Sequence, residues 1–234
     1  MKTFRIDPHV HASETSACSW ISGSDMAAQY KALGYDGIAI TDHLHEGYIS
    51  SLPCRDNWDA CVDKYLSGYR AAKAMGEKVG LALIFGVEIR FTESDNDYLL
   101  YGMDEQFLRA HPYPYRNGLE DFYNNYHDKL LIIQAHPYRG GGDNIRPRFL
   151  HGVEAVNDSP RHDSHNQQAF ALAEEHSHLI RTCGSDAHRP GELGRAAMVF
   201  DFPVHDSLAY KEALEKGAYH MECPNFRDLI EKYT

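Results

Sequence analysis

The chain has 234 residues, a formal net charge of −11 and fifteen histidines. That length is enough to build a substantial core, and the acidic balance argues against a general nucleic-acid binder, whose footprint is basic. Five cysteines (Cys18, Cys54, Cys61, Cys183, Cys223) contain no CxxC pair, which excludes a zinc ribbon or thioredoxin-type motif and suits reduced thiols.

Strand and helix patterns alternate along the chain. Residues 3–9 read as a strand, and Ser24 as the cap of a helix over 25–33 that Gly34 stops. A strand follows at 37–41, then a helix over 56–75 stopped by Gly76 and a long buried strand over 80–89. Further strands are expected at Asp97 to Gly102, 130–135, 152–156, 179–183, 196–200 and 218–222. Helices are expected at 119–128, 163–176, 206–216 and 225–233. Aliphatic and β-branched runs bounded by turns suit parallel strands covered on both faces. The expectation is an α/β chain forming one barrel-like (β/α) domain over 1–234, with mainly parallel strands. Arg139 to Asp143, with its glycines at 140–142, reads as a flexible loop over one end. The opening residues carry no long apolar run, and no stretch approaches the ~20 residues of a membrane span. A soluble, cytoplasmic protein without a membrane partner is expected.

Histidines and carboxylates close the apolar runs, always at the same end. His9 and His11 lie two apart on an extended segment, so alternation points both imidazoles to one side. Asp7 is expected on the opposite face or as an acceptor supporting an imidazole. Glu14, past the strand, can fold back toward a neighbouring ion. In Thr41-Asp42-His43 adjacent side chains diverge; His43 is the expected ligand and Asp42 its orienter, with His45 at the rim. Glu88 ends a long apolar strand, where a buried carboxylate is costly unless paired or metal-bound, and its two oxygens can bridge two ions. His136 ends another apolar run, and Asp186 and His188 end a fifth. Ligands gathered at the carboxyl ends of parallel strands are how α/β enzymes build active sites. His151, His176 and His178 precede their strands and so belong to the opposite end. The fifteen histidines reduce to His9, His11, His43, His136, His188 and one of His45 or His205. Arg139 is the expected clamp for an anionic group, ahead of Arg161 and Arg195. Asn157 is expected to face substrate, and Glu154, inside its strand, is not expected to be a ligand.

The set His9-x-His11, Thr41-Asp42-His43, Gly86-Val87-Glu88-Ile89, Ala135-His136-Pro137 and Asp186-x-His188 resembles the signatures of the PHP (polymerase and histidinol phosphatase) family, in the family's order over nearly the whole chain. The resemblance implies a distorted seven-stranded (β/α) barrel with two or three divalent metal ions that hydrolyses phosphate esters with a metal-activated water. It implies His9, His11, Glu88 and Asp186 at a first ion, Glu88 bridging to a second that also takes His136, and His43, His188 and Glu14 at a third. Glu88, Asp186 and Arg139 would then serve the reaction directly. Two departures stand out. Many members carry Asp or His five or six residues past the HxH, where this chain has Ser16 and Ala17, so Glu14 is the expected substitute. Many also carry a histidine after the bridging glutamate, where this chain offers Asp97. Histidine with carboxylate suits Zn, Mn or Fe. The expected partner is a small phosphorylated metabolite or nucleotide, with no stable nucleic-acid partner. Two rival readings are an amidohydrolase-type C–N hydrolase, which also opens with HxH, and a non-catalytic metal-binding regulatory module.

Overall fold

The computed structural model describes residues 3–139 and 145–233, so the triple glycine at 140–142 lies outside the described residues. In chain order the elements are β1 (Phe4–Val10), α1 (Gly23–Ala32), β2 (Gly37–Ile40), β3 (His43–Leu44), α2 (Glu46–Ser51), α3 (Trp58–Tyr65), α4 (Ser67–Val79), β4 (Ala82–Phe85), β5 (Val87–Arg90), β6 (Asp97–Tyr101), α5 (Glu105–Ala110), α6 (Leu119–Tyr126), β7 (Leu131–Gln134), β8 (Gly152–Asn157), α7 (Asn166–Glu175), β9 (Ile180–Gly184), β10 (Ala197–Phe200), α8 (Ser207–Glu215), β11 (His220–Glu222) and α9 (Arg227–Tyr233).

The strands form a five-stranded sheet in the order β11-β10-β1-β2-β4 and a six-stranded sheet in the order β3-β5-β6-β7-β8-β9. The pairs β1–β2, β2–β4, β3–β5, β7–β8 and β8–β9 are parallel. The expectation of mainly parallel strands needs correcting at β6, antiparallel to both neighbours, and at β10, antiparallel to β1 and β11. The connection 91–96 explains β6: it is far shorter than the crossover of about a dozen residues that a parallel pair needs. The two sheets meet at β1, where Val10 bridges Ala187 and the His11 N–H donates to the Ala187 carbonyl at 3.0 Å. Ile6, Ile84, Leu99, Ile133, Cys183 and Met198, drawn from both sheets, share one buried core.

Gly86 breaks the expected strand over 80–89 into β4 and β5, one in each sheet. A Cβ there would lie 2.7 Å from Thr41 Cγ2, so only glycine lets the chain pass β2 at this point. The break sets Glu88 beside His43 in the parallel register of β3 and β5. Gly76 does not stop a helix: it lies inside α4, where a Cβ would meet Leu83 Cδ2 at 2.2 Å. The stop is Gly80, left-handed at φ 71°. The expected single helix over 56–75 is two, α3 and α4, meeting at Leu66. Ser22, not Ser24, caps α1, its hydroxyl accepting the Asp25 N–H at 3.1 Å. No described helix is long and apolar enough to cross a membrane.

Candidate metal centre

β1 delivers His9 and His11 to one side, both fully buried. β5 delivers Glu88, 1% exposed, and β3 sets His43 next to it. His136 follows β7, and Asp186 and His188 follow β9. His136 (φ 28°) and Asp186 (φ 51°) adopt left-handed backbone, a conformation that costs energy for residues other than glycine and concentrates at functional sites.

Glu88 is the hub. Its Oε1 lies 3.4 Å from His9 Nε2 and 3.1 Å from His136 Nε2, while Oε2 lies 2.6 Å from His43 Nδ1 and 3.6 Å from His11 Nε2. Asp186 Oδ1 lies 3.3 Å from His11 Nε2, 3.6 Å from His9 Nε2 and 3.4 Å from His188 Nδ1. Among the described residues, four groups have ligand atoms within 4.8 Å of one another: His11, His43 and His188; His9, His136 and Asp186; His9, His11 and Glu88; and Glu88, Asp97 and His136. Among the described residues, His9 Nε2 and His11 Nε2 are buried without a hydrogen-bond partner, and Glu88 Oε2 faces the same space. Buried polar atoms are normally satisfied. Orphaned imidazole nitrogens and a carboxylate oxygen converging on one space are a donor set that fits divalent metal ions.

The charges hold each other. Burial would push the Glu88 carboxyl up, but the charges of His43 and His9 and hydrogen bonds from His136 and His43 hold it well below the usual carboxylate range. Asp186 is held down against burial by His9, His11 and Arg139. Burial, reinforced by His188 and His43, keeps His11 well below the usual imidazole range, in its neutral, ligating form.

Supporting contacts fix the imidazoles. The His9 Nδ1–H donates to Glu154 Oε1 at 2.8 Å, so that once the ring gives up its second proton Nε2 is the nitrogen with the lone pair. Glu154 Oε2 accepts the His136 N–H at 3.0 Å and the Asn157 amide at 2.9 Å. Gly184 makes room for this contact, since a Cβ there would lie 2.6 Å from both Glu154 Oε1 and His9 Cβ. Asp42 Oδ1 accepts from Ser16 Oγ at 2.7 Å and from the Ala12 N–H at 2.8 Å, and Ser16 Oγ lies 3.4 Å from His11 Nδ1. Burial pushes Asp42 up to about 7. Arg161 reaches His188 Nδ1 at 2.8 Å and Glu192 at 2.9 Å, and Glu192 also takes the His188 N–H at 2.8 Å.

His9, His11, His43, Glu88, His136, Asp186 and His188 thus converge as their strand ends imply. Glu14 does not join them. The turn after Ala12 swings it outward, and its carboxylate accepts the Gly23 N–H at 2.9 Å at the start of α1, a favourable place for negative charge. Asp97 lies in a ligand group, yet its two oxygens also hold Arg90 at 2.8 and 2.7 Å. His45 caps α2 by accepting the Tyr48 N–H, and His205 packs edge-on against Phe4. Asp7 supports no imidazole: it accepts from Tyr30 Oη at 2.7 Å and from the backbone of His9 and Ser185. Arg139 donates to Asp186 Oδ2 at 2.7 Å, Asn157 Oδ1 at 2.6 Å and Ser164 Oγ at 3.0 Å. Arg195 is held by Asp158. The sequence reading missed Glu154 as a support, although a charge inside the apolar run of β8 was its signal. Burial raises the Cys18 thiol, but the nearby His188 and His43 pull it down to about 6.

Residues 163–219 match the model of a family described as PHP-associated. No curated protein matches the chain. Among solved structures, a two-domain protein from Bacteroides vulgatus described as containing a predicted PHP-like metal-dependent phosphoesterase is similar, with a TM-score of 0.68 and 16% identity over 95% of this chain. The chain spans 65% of that protein's length, just under two thirds. PsfC from Pseudomonas syringae aligns with a TM-score of 0.60 and 18% identity over 87% of this chain and 84% of its own. An amidohydrolase from Chromobacterium violaceum, solved with bound sulfate and no metal, aligns with a TM-score of 0.55 and 17% identity over 94% of this chain and 98% of its own. At these identities the likeness is one of fold. The chain thus carries a PHP-associated segment and shares its fold with a protein described as containing a predicted PHP-like metal-dependent phosphoesterase.

Proposed function

We propose that the protein is a metal-dependent phosphoesterase acting on a small phosphorylated metabolite or nucleotide, on one distorted seven-stranded (β/α) barrel that spans the chain. The observation that carries this reading is Glu88, a buried carboxylate whose two oxygens face separate histidine sets, His9 with His136 and His43 with His11. Two or three divalent ions (Zn, Mn or Fe) held there would supply an activated water and neutralise phosphoryl charge. His9, His11, His43, His136, His188, Glu88 and Asp186 would hold them. Glu154 keeps His9 in the ligating tautomer, and burial keeps His11 neutral. Arg139 stands beside Asp186 with its Nε unpartnered among the described residues, placed to bind a phosphoryl oxygen by a charge-assisted bond.

A panel of phosphomonoesters, phosphodiesters and amides, assayed with Mn, Zn or Fe added back, tests this. Turnover confined to phosphate esters is expected. In the same assay Arg139→Ala should raise KM by roughly 10- to 100-fold with metal content kept, the about 1.5–3 kcal/mol of a hydrogen bond to a charged group. Unchanged kinetics would remove the clamp. Turnover of amides alone would favour a C–N hydrolase, the reading to which the amidohydrolase of similar fold lends support. No turnover with metal bound would leave a regulatory metal-binding module.

A further inference from the structure

Two thiols meet between α2 and α3. Cys54 Sγ lies 3.7 Å from Cys61 Sγ, and the Cys61 thiol donates to the Cys54 carbonyl at 3.1 Å. Neither is in a disulfide; Cys54 is half-buried and Cys61 is buried. Cys54 stands just past α2 between exposed Pro53 and Arg55, and Cys61 closes the first turn of α3. An oxidant arriving from water therefore meets Cys54 first, with Cys61 in contact behind it. Both segments lead back to the candidate ligands. α2 follows β3, the strand that carries His43. Tyr65 stands one turn beyond Cys61 on the same face of α3. Its hydroxyl donates to the Asp42 carbonyl at 2.5 Å, and the Glu88 N–H donates to that same carbonyl at 3.1 Å. A movement of α3 at Cys61 is thus one helical turn and one shared carbonyl away from the backbone of Glu88.

We propose that Cys54 and Cys61 are a redox site that a peroxide closes into a reversible disulfide, and that this closure loosens zinc at the metal centre through α3. The first half is independent of the function proposed above; the second rests on its metal centre. Cys54 attacks the peroxide, its sulfur takes one oxygen as a sulfenic acid, and water leaves. The Cys61 sulfur then attacks the Cys54 sulfur, the S–S bond forms and a second water leaves. In balance, two thiols and one hydrogen peroxide give one disulfide and two waters, and the two electrons lost by sulfur end on the peroxide oxygens. The sulfurs have to approach by about 1.7 Å, from 3.7 Å to the length of an S–S bond. Closure also removes the Cys61 proton that now bonds the Cys54 carbonyl. Residues 55–57 are exposed and take up part of the movement, and α3 takes the rest.

Peptide mapping and zinc titration test the two halves without recourse to turnover. Trypsin cuts after Arg55, between the two cysteines, so the disulfide is read as two peptides that stay joined until reduced. Zinc-loaded protein treated with a small excess of hydrogen peroxide and then alkylated should give this joined pair, and a phosphine reductant should part it. Cys54→Ser should give no joined pair and keep Cys61 open to alkylation after unfolding. Cys61→Ser, with circular dichroism as the check on folding, should stop at a Cys54 sulfenic acid that dimedone traps. In competition with a chelator, the oxidised wild type should bind zinc roughly tenfold more weakly, the low end of what disturbing an outer partner costs, and reduction should restore it. Peroxide should leave the zinc affinity of Cys54→Ser unmoved; exposed Cys18, still present in that variant, is the control for oxidation elsewhere. Oxidised wild type with no joined pair, or with other cysteines joined, would overturn the redox site. A disulfide that leaves zinc affinity unchanged, or a loss of affinity that persists in Cys54→Ser, would overturn the link to the metal. Absence of zinc binding in both redox states would overturn the metal centre and the link with it, while the peptides still decide the redox site.

Discussion

A Glu88→Gln protein should fold and lose both its metal and its turnover. The carboxylate is 1% exposed and touches four imidazoles, two with each oxygen. Gln keeps the shape and one acceptor but removes the negative charge, and its amide nitrogen would point a donor where a lone pair now points. The expected fall in kcat/KM is roughly a thousandfold or more, corresponding to the about 4 kcal/mol that metal charge stabilisation is worth at a phosphoryl centre. Elemental content and steady-state rates, with circular dichroism as the check on folding, decide it. Full activity in the folded variant would sink the whole scheme.

The second large effect is expected at a residue that need touch no metal. Glu154→Ala strips the acceptor from three buried donors: His9 Nδ1–H, the His136 N–H and the Asn157 amide. Each orphaned donor costs about 1–3 kcal/mol, so a clear drop in unfolding midpoint is expected. A merely structural role would stop there. A positioning role also frees the His9 tautomer, and metal affinity should fall roughly 10- to 100-fold. Glu154→Gln separates the two effects: its oxygen can still accept from His9, but its nitrogen would oppose the His136 N–H. Calorimetry paired with zinc titration reads both, and unchanged affinity in a destabilised variant would reduce Glu154 to a structural part.

What could be read from the sequence follows from what local chemistry makes explicit. An imidazole or carboxylate ending an apolar run has few structural reasons to be there, so His9, Glu88, His136 and Asp186 announce themselves. The spacing of His9 and His11 also carries its own geometry, because alternation on a strand is local. Contacts between distant segments are not written locally. Glu154 meets His9 only because β8 and β1 come together past Gly184, and nothing near either residue encodes that. Glu14 was the natural carboxylate to assign, but the turn after Ala12 rather than distance along the chain decides where it points. Likewise Gly76 and Gly80 look alike in sequence. One is fixed by the approach of Leu83 and the other by a left-handed backbone. The antiparallel course of β6 was legible in the short connection 91–96, while that of β10 depends on its partner β1.

The candidate ligands are divided between the two sheets. His9 and His11 belong to the five-stranded sheet, while His43, Glu88, His136, Asp186 and His188 sit on or just beyond strands of the six-stranded one. Ions bound there would stitch one half of the molecule to the other along the boundary that the backbone bridge from Val10 to Ala187 crosses. Folding and metal occupancy are then thermodynamically linked, and resistance to unfolding becomes a function of free metal concentration. A hundredfold excess over Kd would add about 2.7 kcal/mol. Metal supply would therefore set how much of this protein persists as well as how fast it works, and a melting temperature indifferent to chelator would show that the boundary holds without such a stitch.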